Sequence, residues 1–492
     1  MTTTRKDFLK GFAATIGMAA VGGGRVLFAA PPGWTAPGGA KLVLGVMSDT
    51  HLRTDHRGLG PARTFPHAYL DAALAFFRDA NVDAVVHCGD MAHRGQVREL
   101  EFHRDAWNRA FPANRAPDGH EVVKLFVTGN HEIDGWRYGT NDGFKVEKAF
   151  PDPEERARRI VAVDTAEKWE RVWGEKYEPV WHKEVKGYQF FGRHYGVGEM
   201  ELAKLVKKQC KACGLDDGVK PFFLLSHVRP HAKLNRAMAK HGNAVSLFGH
   251  WHRSASNWNV IHIWNGNPAL QIPACLPRGK LPLGEDAYIS RAKLENGEPE
   301  FAGVARQGYV IRIYDDMMAI ERREFGAGGR LGEDWIMPLD KHEAHPLSHG
   351  ELKKVIGEPQ FREGATLELA AVQETPGTDD TKGLDDAGAG RSIKLSIPLA
   401  DGNPKCRAYA YEVEVKGDAA SPSLLRATYA AGINMGIGHE TNGGVSTIDI
   451  PVSDLPDGET VAFSATPLSS LGTRGTPLTL SKKRHRKDKT EP

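Results

Sequence analysis

Five short polar clusters, each placed directly after an apolar run, constrain this chain more than any other feature. Lys41–Met47, rich in Val and Leu, runs into Ser48-Asp49-Thr50-His51. Asp83–His87 runs towards Gly89-Asp90-Met91-Ala92-His93-Arg94-Gly95, and Glu121–Thr128 into Gly129-Asn130-His131-Glu132. Pro221–Ser226 ends in His227, and Ala244–Phe248 leads into Gly249-His250-Trp251-His252. Short continuous apolar runs read as buried strands. Between the first two runs, His67–Ala80 has apolar residues at 69, 70, 73, 74, 76 and 77, the spacing of an amphipathic helix. Val97–Phe111 reads the same way, as do Glu199–Lys211 and His231–His241 further on, with strands at Val260–Trp264 and Tyr309–Ile313. Strand–helix alternation implies parallel strands joined by crossovers. Open α/β sheets place ligand sites beyond the carboxyl ends of their strands, so all five clusters are expected on one rim.

The side chains in these clusters share one chemistry. Carboxylates, imidazoles and an amide oxygen suit divalent Mn, Fe, Zn or Co. Cys88, before the glycine on its strand, reads as core. The glycines ahead of Asp90, Asn130 and His250 allow a backbone to approach a ligand closely. A single histidine in a loop is ordinarily solvated or a satisfied core group; it is the ordered set that points to a site. Two cations about 3.5–4 Å apart can clamp the attacking and leaving oxygens of an in-line displacement, and a shared carboxylate suits that spacing.

The ordered set DxH, GDxxxxG, GNHE, H and GHxH resembles the calcineurin-like metallophosphoesterase superfamily, over roughly residues 41–315. The resemblance implies an α/β fold: a four-layer sandwich of two mixed sheets flanked by helices. It implies one metal held by Asp49, His51, Asp90 and His252, and another by Asp90, Asn130, His227 and His250, with Asp90 bridging. The reaction implied is hydrolysis of phosphomonoesters or phosphodiesters by a hydroxide shared between the two ions. His131, not itself a ligand, would protonate the leaving alkoxide or stabilise the transition state. Gly89–Gly95 is similar to the GDxxDRG motif of Ser/Thr phosphatases, whose arginine contacts phosphate, which makes Arg94 a second catalytic candidate although His93 replaces the second aspartate; the plain alternative is a surface arginine. Glu132 is expected to orient His131. His93 also stands where purple acid phosphatases carry a tyrosine, and SDTHL with GHWH departs from the Ser/Thr phosphatase pattern. GNHEID is similar to the GNHEFD of 5′-nucleotidases, so 5′-nucleotidase-like and cyclic-nucleotide phosphodiesterase-like activities are alternatives within the enzymes. A catalytically silent metal-binding scaffold is the alternative outside them, and it predicts a degraded motif.

The rest of the chain adds context. Residues 1–30 run from a charged Arg5-Lys6-Asp7-Phe8-Leu9-Lys10, through the mildly apolar Gly11–Val21, to Phe28-Ala29-Ala30. This resembles a twin-arginine export signal with Lys6 at the second arginine. Its reading is a leader that takes no part in the fold, the twin-arginine machinery as a partner, and a periplasmic or secreted protein; the alternative is a disordered or amphipathic N-terminus of a cytoplasmic one. A phosphoesterase domain is expected over 40–328, a linker over 329–357, a small all-β sandwich over 358–480 and a basic disordered tail over 481–492, with a mobile loop at Thr375–Gly390. The sandwich resembles fibronectin-III and Ig-like modules, whose expected part is docking, for instance to a cell-surface polymer, or stability. The net charge of +2 is not that of a nucleic-acid duplex binder. The leader carries a net +3 and the tail a net +4, which leaves the body between them mildly acidic. No apolar run in the body reaches the length of a membrane span. Five cysteines are too few for a disulfide framework. Cys210 and Cys213 are either a disulfide or two free thiols. Trp251 reads as a packing residue; His56, His67 and His103 read as solvated.

Overall fold

The computed structural model describes residues 28–29, 36–52, 66–133, 152, 165–210, 212–213, 220–238, 241, 244–252, 254–257, 260–264, 267–272, 307–325, 329–332, 334–339, 353–354, 356–372, 392–403, 405–417, 423–430 and 444–483. The Thr375–Gly390 segment, His56, residues 1–27 of the expected leader and residues 484–492 of the expected tail lie outside them.

The first three polar clusters follow β2 (Leu42–Met47), β3 (Ala84–Cys88) and β4 (Val123–Val127), which run parallel to one another. They form one side of a seven-stranded sheet. The other side is antiparallel: β11 (Gln307–Ile313) pairs with β2, β12 (Met317–Glu324) with β11, β13 (Trp335–Pro338) with β12, and β1 (Phe28–Ala29) with β13. A six-stranded sheet carries the other two clusters. Its order is β5 (Val180–Val185), β6 (Tyr188–Arg193), β7 (Phe222–Ser226), β8 (Ala244–Phe248), β10 (Asn267–Gln271), β9 (Ile261–Trp264). The four inner strands are parallel and the two edges antiparallel. Strands β3, β7 and β8 are buried at every position, as strands covered on both faces must be.

The buried side chains sort into layers. Leu44, Val46, Val86 and Leu125 of the first sheet meet Phe190, Phe223, Leu225 and Leu247 of the second in one apolar cluster, so the two mixed sheets lie face to face. The outer face of the first is covered by α1 (Pro66–Asp79), α2 (Val97–Ala110) and α3 (Thr165–Trp173), through Leu74, Phe77, Leu100, Trp107 and Trp169. The outer face of the second is covered by α4 (Glu199–Cys210) and α5 (Ala232–Met238), through Leu202, Val206, Leu234 and Met238.

Two small antiparallel sheets follow. One has the order β14 (Glu368–Val372), β15 (Ser392–Ile397), β18 (Ser446–Pro451); the other β17 (Leu424–Tyr429), β16 (Ala410–Gly417), β19 (Thr460–Leu468), β20 (Leu478–Lys483). Ile393, Leu395 and Ile450 of the first share a core with Tyr411, Val413, Val415 and Phe463 of the second.

Several sequence expectations change here. Trp335–Pro338, assigned to a linker, is a strand of the large sheet, with Trp335 fully buried. Residues 481–483, assigned to the disordered tail, belong to β20. Phe28 and Ala29, at the end of the expected leader, pair with Ile336 and Trp335. His103, expected to be solvated, is fully buried, its ring edge-on to His87, Phe126 and Trp173. Cys210 and Cys213 are free thiols, with the Cys210 sulfur 3.6 Å from Nε2 of His241. No helix among the described residues is long and apolar enough to cross a membrane.

Candidate metal centre

The five clusters converge on one rim because backbone hydrogen bonds lace them together. Asp49 and His51 donate their N–H groups to the carbonyls of Gly89 and Asp90, and Gly249 donates to His227. The N–H of His250 reaches Asp49 Oδ2 at 3.0 Å, tying the first cluster to the last. Turning side chains from both sheets inwards requires unusual backbone. Asp49, His51, Asp90, His250 and His252 all have φ between 45° and 78°. They are five of the nine non-glycine residues with positive φ among those described. Each such conformation costs about 1–3 kcal/mol and tends to mark functional sites. Two glycines make the approach sterically feasible. A Cβ on Gly129 would overlap the Asp90 carboxylate, and one on Gly249 would overlap Ser48 Oγ and the Asp49 carboxylate. Gly249→Ala is therefore expected to weaken cation binding at the Asp49 side about tenfold and to affect the Asn130 side less, as read by titration calorimetry with Mn or Zn.

Two donor sets result, sharing Asp90. Asp49, His51, Asp90 and His252 present ligand atoms within 4.8 Å of one another, as do Asp90, His227 and His250. In the first, His252 Nε2 lies 3.1 Å from His51 Nε2 and 3.1 Å from Asp49 Oδ1, and His51 Nε2 lies 3.6 Å from Asp90 Oδ2. In the second, His227 Nε2 lies 2.7 Å from Asn130 Oδ1, 3.1 Å from His250 Nδ1 and 3.3 Å from Asp90 Oδ2. Asn130 Oδ1 is also 3.0 Å from His250 Nδ1, which puts it in the same group.

The chemistry of these sets fits cations. His227 Nδ1 faces the Cys88 carbonyl at 2.8 Å and donates its hydrogen there, so Nε2 of the neutral ring brings a lone pair into a group of oxygen and nitrogen lone pairs. Such a convergence, buried, is stable only with positive charge among the atoms. The protonation tendencies agree. Burial opposes a charge on His227, but Asp90, then Asp49 and the Cys88 carbonyl, outweigh it and push its pKa up to about 9. Burial likewise works against ionised Asp49, yet His252 and His227 hold it well below the carboxylate range. His250 is lowered, by burial first and then by His227. A proton thus sits where a divalent ion would serve the same carboxylates, and Asp49, His51, Asp90, Asn130, His227, His250 and His252 are the residues that could hold two.

One support of the two catalytic candidates is placed differently from expectation. Glu132 does not orient the His131 ring. Its carboxylate accepts the N–H groups of Gly129 (2.6 Å), Asp90 (2.8 Å) and Ala92 (2.7 Å), pinning two loops together. Burial, with Asp90 second, pushes its pKa up to about 7 against the pull of those donors. His131 is oriented instead by the His93 carbonyl, 2.6 Å from Nδ1, and its N–H is donated to Asp90 Oδ1 at 2.8 Å. Its Nε2 then faces Asp90 Oδ2 at 4.0 Å. His93 joins His51 and His131 in a third close group, with its Nδ1 3.5 Å from Nδ1 of His51. Arg94 is 2% exposed, so it is not a surface arginine; its N–H is donated to Glu99 at 2.8 Å. Cys88 is core, as its position suggested, and burial raises its thiol pKa. Trp251 is half-buried, with the Arg229 guanidinium 5.0 Å from its ring centre.

Sequence reasoning missed His87. Its Nδ1 accepts the Gly89 N–H at 3.2 Å, leaving Nε2–H for Thr50 Oγ1 at 3.2 Å, whose hydroxyl donates to the Met91 carbonyl. Its place on an apolar strand beside GD was the available signal. It also missed Lys168, for which no local motif exists.

Residues 42–254 match the family model of the calcineurin-like phosphoesterases. With the geometry above, that stretch has the calcineurin-like metallophosphoesterase fold, with the two acidic-and-histidine groups typical of the superfamily. No curated protein matches the chain. Among solved structures, a dimetal phosphatase from Danio rerio is similar at 12% identity, over 61% of this chain and 100% of that one, with a TM-score of 0.36. A purple acid phosphatase from yellow lupin (Lupinus luteus) seeds is similar at 13% identity, over 63% of this chain and 56% of that one, with a TM-score of 0.35. A putative 5′-nucleotidase from Staphylococcus aureus is similar at 10% identity, over 76% and 74%, with a TM-score of 0.28.

Proposed function

We propose that this protein is an exported, metal-dependent hydrolase of phosphate esters. The observation that carries the reading is the pair of donor groups sharing Asp90 on one rim. Two cations bound there would supply an acidified water and neutralise phosphate charge. The chain's own residues do the rest. Asp90 is common to both groups, and Asp49, His51 and His252 complete one while Asn130, His227 and His250 complete the other. His131, its Nδ1 held by the His93 carbonyl, is assigned to protonate the departing alkoxide or to stabilise the transition state from Nε2. Burial lowers its pKa, and Asp90 opposes that shift. Arg94, next to the Gly95 that packs on the His131 carbonyl, is assigned to the phosphate oxygens. The scaffold alternative predicts a missing group, whereas each motif residue stands in the sequence.

Protein purified with Mn or Zn is expected to turn over p-nitrophenyl phosphate or its bis ester, to lose that activity to a chelator and to regain it when the ion returns. Two bound ions per chain with no turnover of any phosphate ester would sink the reading. The same panel separates monoesterase, nucleotidase-like and cyclic-nucleotide diesterase-like substrates. Export rests on the twin-arginine-like leader and is tested by cell fractionation. The β14-β15-β18 and β17-β16-β19-β20 strand orders, around one core, support a fibronectin-III or Ig-like sandwich at the C-terminal side. Its part in this proposal is docking to a cell-surface polymer.

A further inference from the structure

Lys168 is a basic side chain placed where water does not reach. It is 1% exposed, on helix α3 among the buried Trp169, Val172 and Trp173. Lysine is almost never found so deep unless its ammonium is satisfied. Here Nζ donates to the Gly95 carbonyl at 3.0 Å and to the Glu132 carbonyl at 2.7 Å. Those two carbonyls belong to different loops, one carrying Arg94 and the other His131. The loops touch at the same point: Gly95 has a φ of +66°, and a Cβ there would lie 2.7 Å from the His131 carbonyl oxygen and 2.9 Å from that of Glu132. Glu99 holds the first loop from the other side, accepting the N–H groups of Arg94 and Gln96.

We infer that Lys168 is a positioning residue that fixes the Arg94 loop against the His131 loop through their backbone carbonyls. Its catalytic consequence rests on the phosphoesterase reading; its structural content does not. The two carbonyls it holds are not cation donors, so its removal acts on the relative placement of Arg94 and His131 more than on cation binding. A displacement of the order of 1 Å at a reacting group can cost on the order of a hundredfold in rate.

Lys168→Met keeps the stem and removes the donors. In the full-length protein, amide hydrogen exchange at residues 93–96 and 131–133 is expected to speed up at least about tenfold, while amides in β2 and β7 stay at wild-type rates. kcat on the preferred phosphate ester is expected to fall at least about tenfold, with KM and the two-ion stoichiometry from calorimetry unchanged. Lys168→Arg, which can donate to both carbonyls, restores part of each effect. Unchanged exchange in the two loops overturns the inference. So does exchange that rises evenly across the sheets, because the residue would then be merely structural. If Lys168→Met does not fold, Lys168→Gln, with one donor group on a shorter stem, is read by the same exchange measurement and the same criteria. If the wild-type protein hydrolyses no phosphate ester, the functional reading fails while loop exchange still decides the role of Lys168.

Discussion

Asp90→Asn is expected to lower phosphate-ester turnover at least about a thousandfold, a loss of about 4 kcal/mol in transition-state stabilisation, and to empty both cation sites rather than one. The reason is the sharing. Asp90 Oδ2 faces His51 Nε2 at 3.6 Å on one side and His227 Nε2 at 3.3 Å on the other, so one substitution strikes both groups. The amide keeps the volume and can still accept the His131 N–H through its oxygen, as Oδ1 does now; the loop should therefore keep its course. What the variant loses is a negative charge at the point where two cations would need it most, and it turns an N–H₂ towards imidazoles that are themselves donors to metal. His252→Ala and His250→Ala provide the contrast, since each belongs to one group only. They are expected to lower the ion stoichiometry by one each, as counted by elemental analysis. Retention of two ions and of more than a tenth of wild-type turnover by Asp90→Asn would rule out a bridging carboxylate.

The donors of this site were legible in the sequence because each follows a short apolar strand, and such strands announce themselves. Strands β2, β3, β4, β7 and β8 fall within a residue or two of their expected bounds. Elements whose apolar pattern is broken by charge were not legible. β12 carries Glu321, Arg322 and Arg323, and is a buried strand in which Glu321 pairs with Arg312 at 2.8 Å and Arg323 at 2.9 Å. The β5–β6 hairpin turns on Lys186-Gly187, both with positive φ, a two-residue turn usually signalled by Asn-Gly. The supports of the site were hidden for a different reason. Glu132 acts on backbone N–H groups of a loop some forty residues away, and Lys168 reaches two carbonyls from the buried face of α3. Backbone tethers leave no residue-type signature at the positions they hold. Motif reading therefore recovers what would touch the ions and misses what holds those residues in place.

His103 shows what a missed burial implies for stability. The absence of a motif suggests a solvated side chain, yet Leu100, His103, Trp107 and Ala110 recur at helical spacing and are all buried. Neither ring nitrogen has a hydrogen-bond partner among the described residues. Burial lowers its pKa from 6.5 to about 3. His194 is also pushed down to about 3, by burial and then by Lys183, and its Nδ1 must stay unprotonated to accept the Thr128 N–H at 2.9 Å. A histidine with a folded pKa below its unfolded value binds fewer protons folded than unfolded in the window between the two. Stability is therefore fully present above about pH 6.5 and falls as the pH drops towards about 3, by about 1.4 kcal/mol per pH unit for each such group. For His103 alone the loss at pH 4.5 is roughly 2–3 kcal/mol, a large share of the total stability of an ordinary domain. His103→Phe removes the titrating group and keeps a ring against Phe126 and Trp173. It also removes two unpartnered polar atoms, a gain of about 1 kcal/mol at pH 7. Urea unfolding at pH 7 and pH 4.5 is expected to show the variant's advantage widening by roughly 2–3 kcal/mol at the lower pH. Stability curves that run parallel across that interval would mean that His103 takes up its proton in the folded protein, and the buried, neutral ring would have to be abandoned.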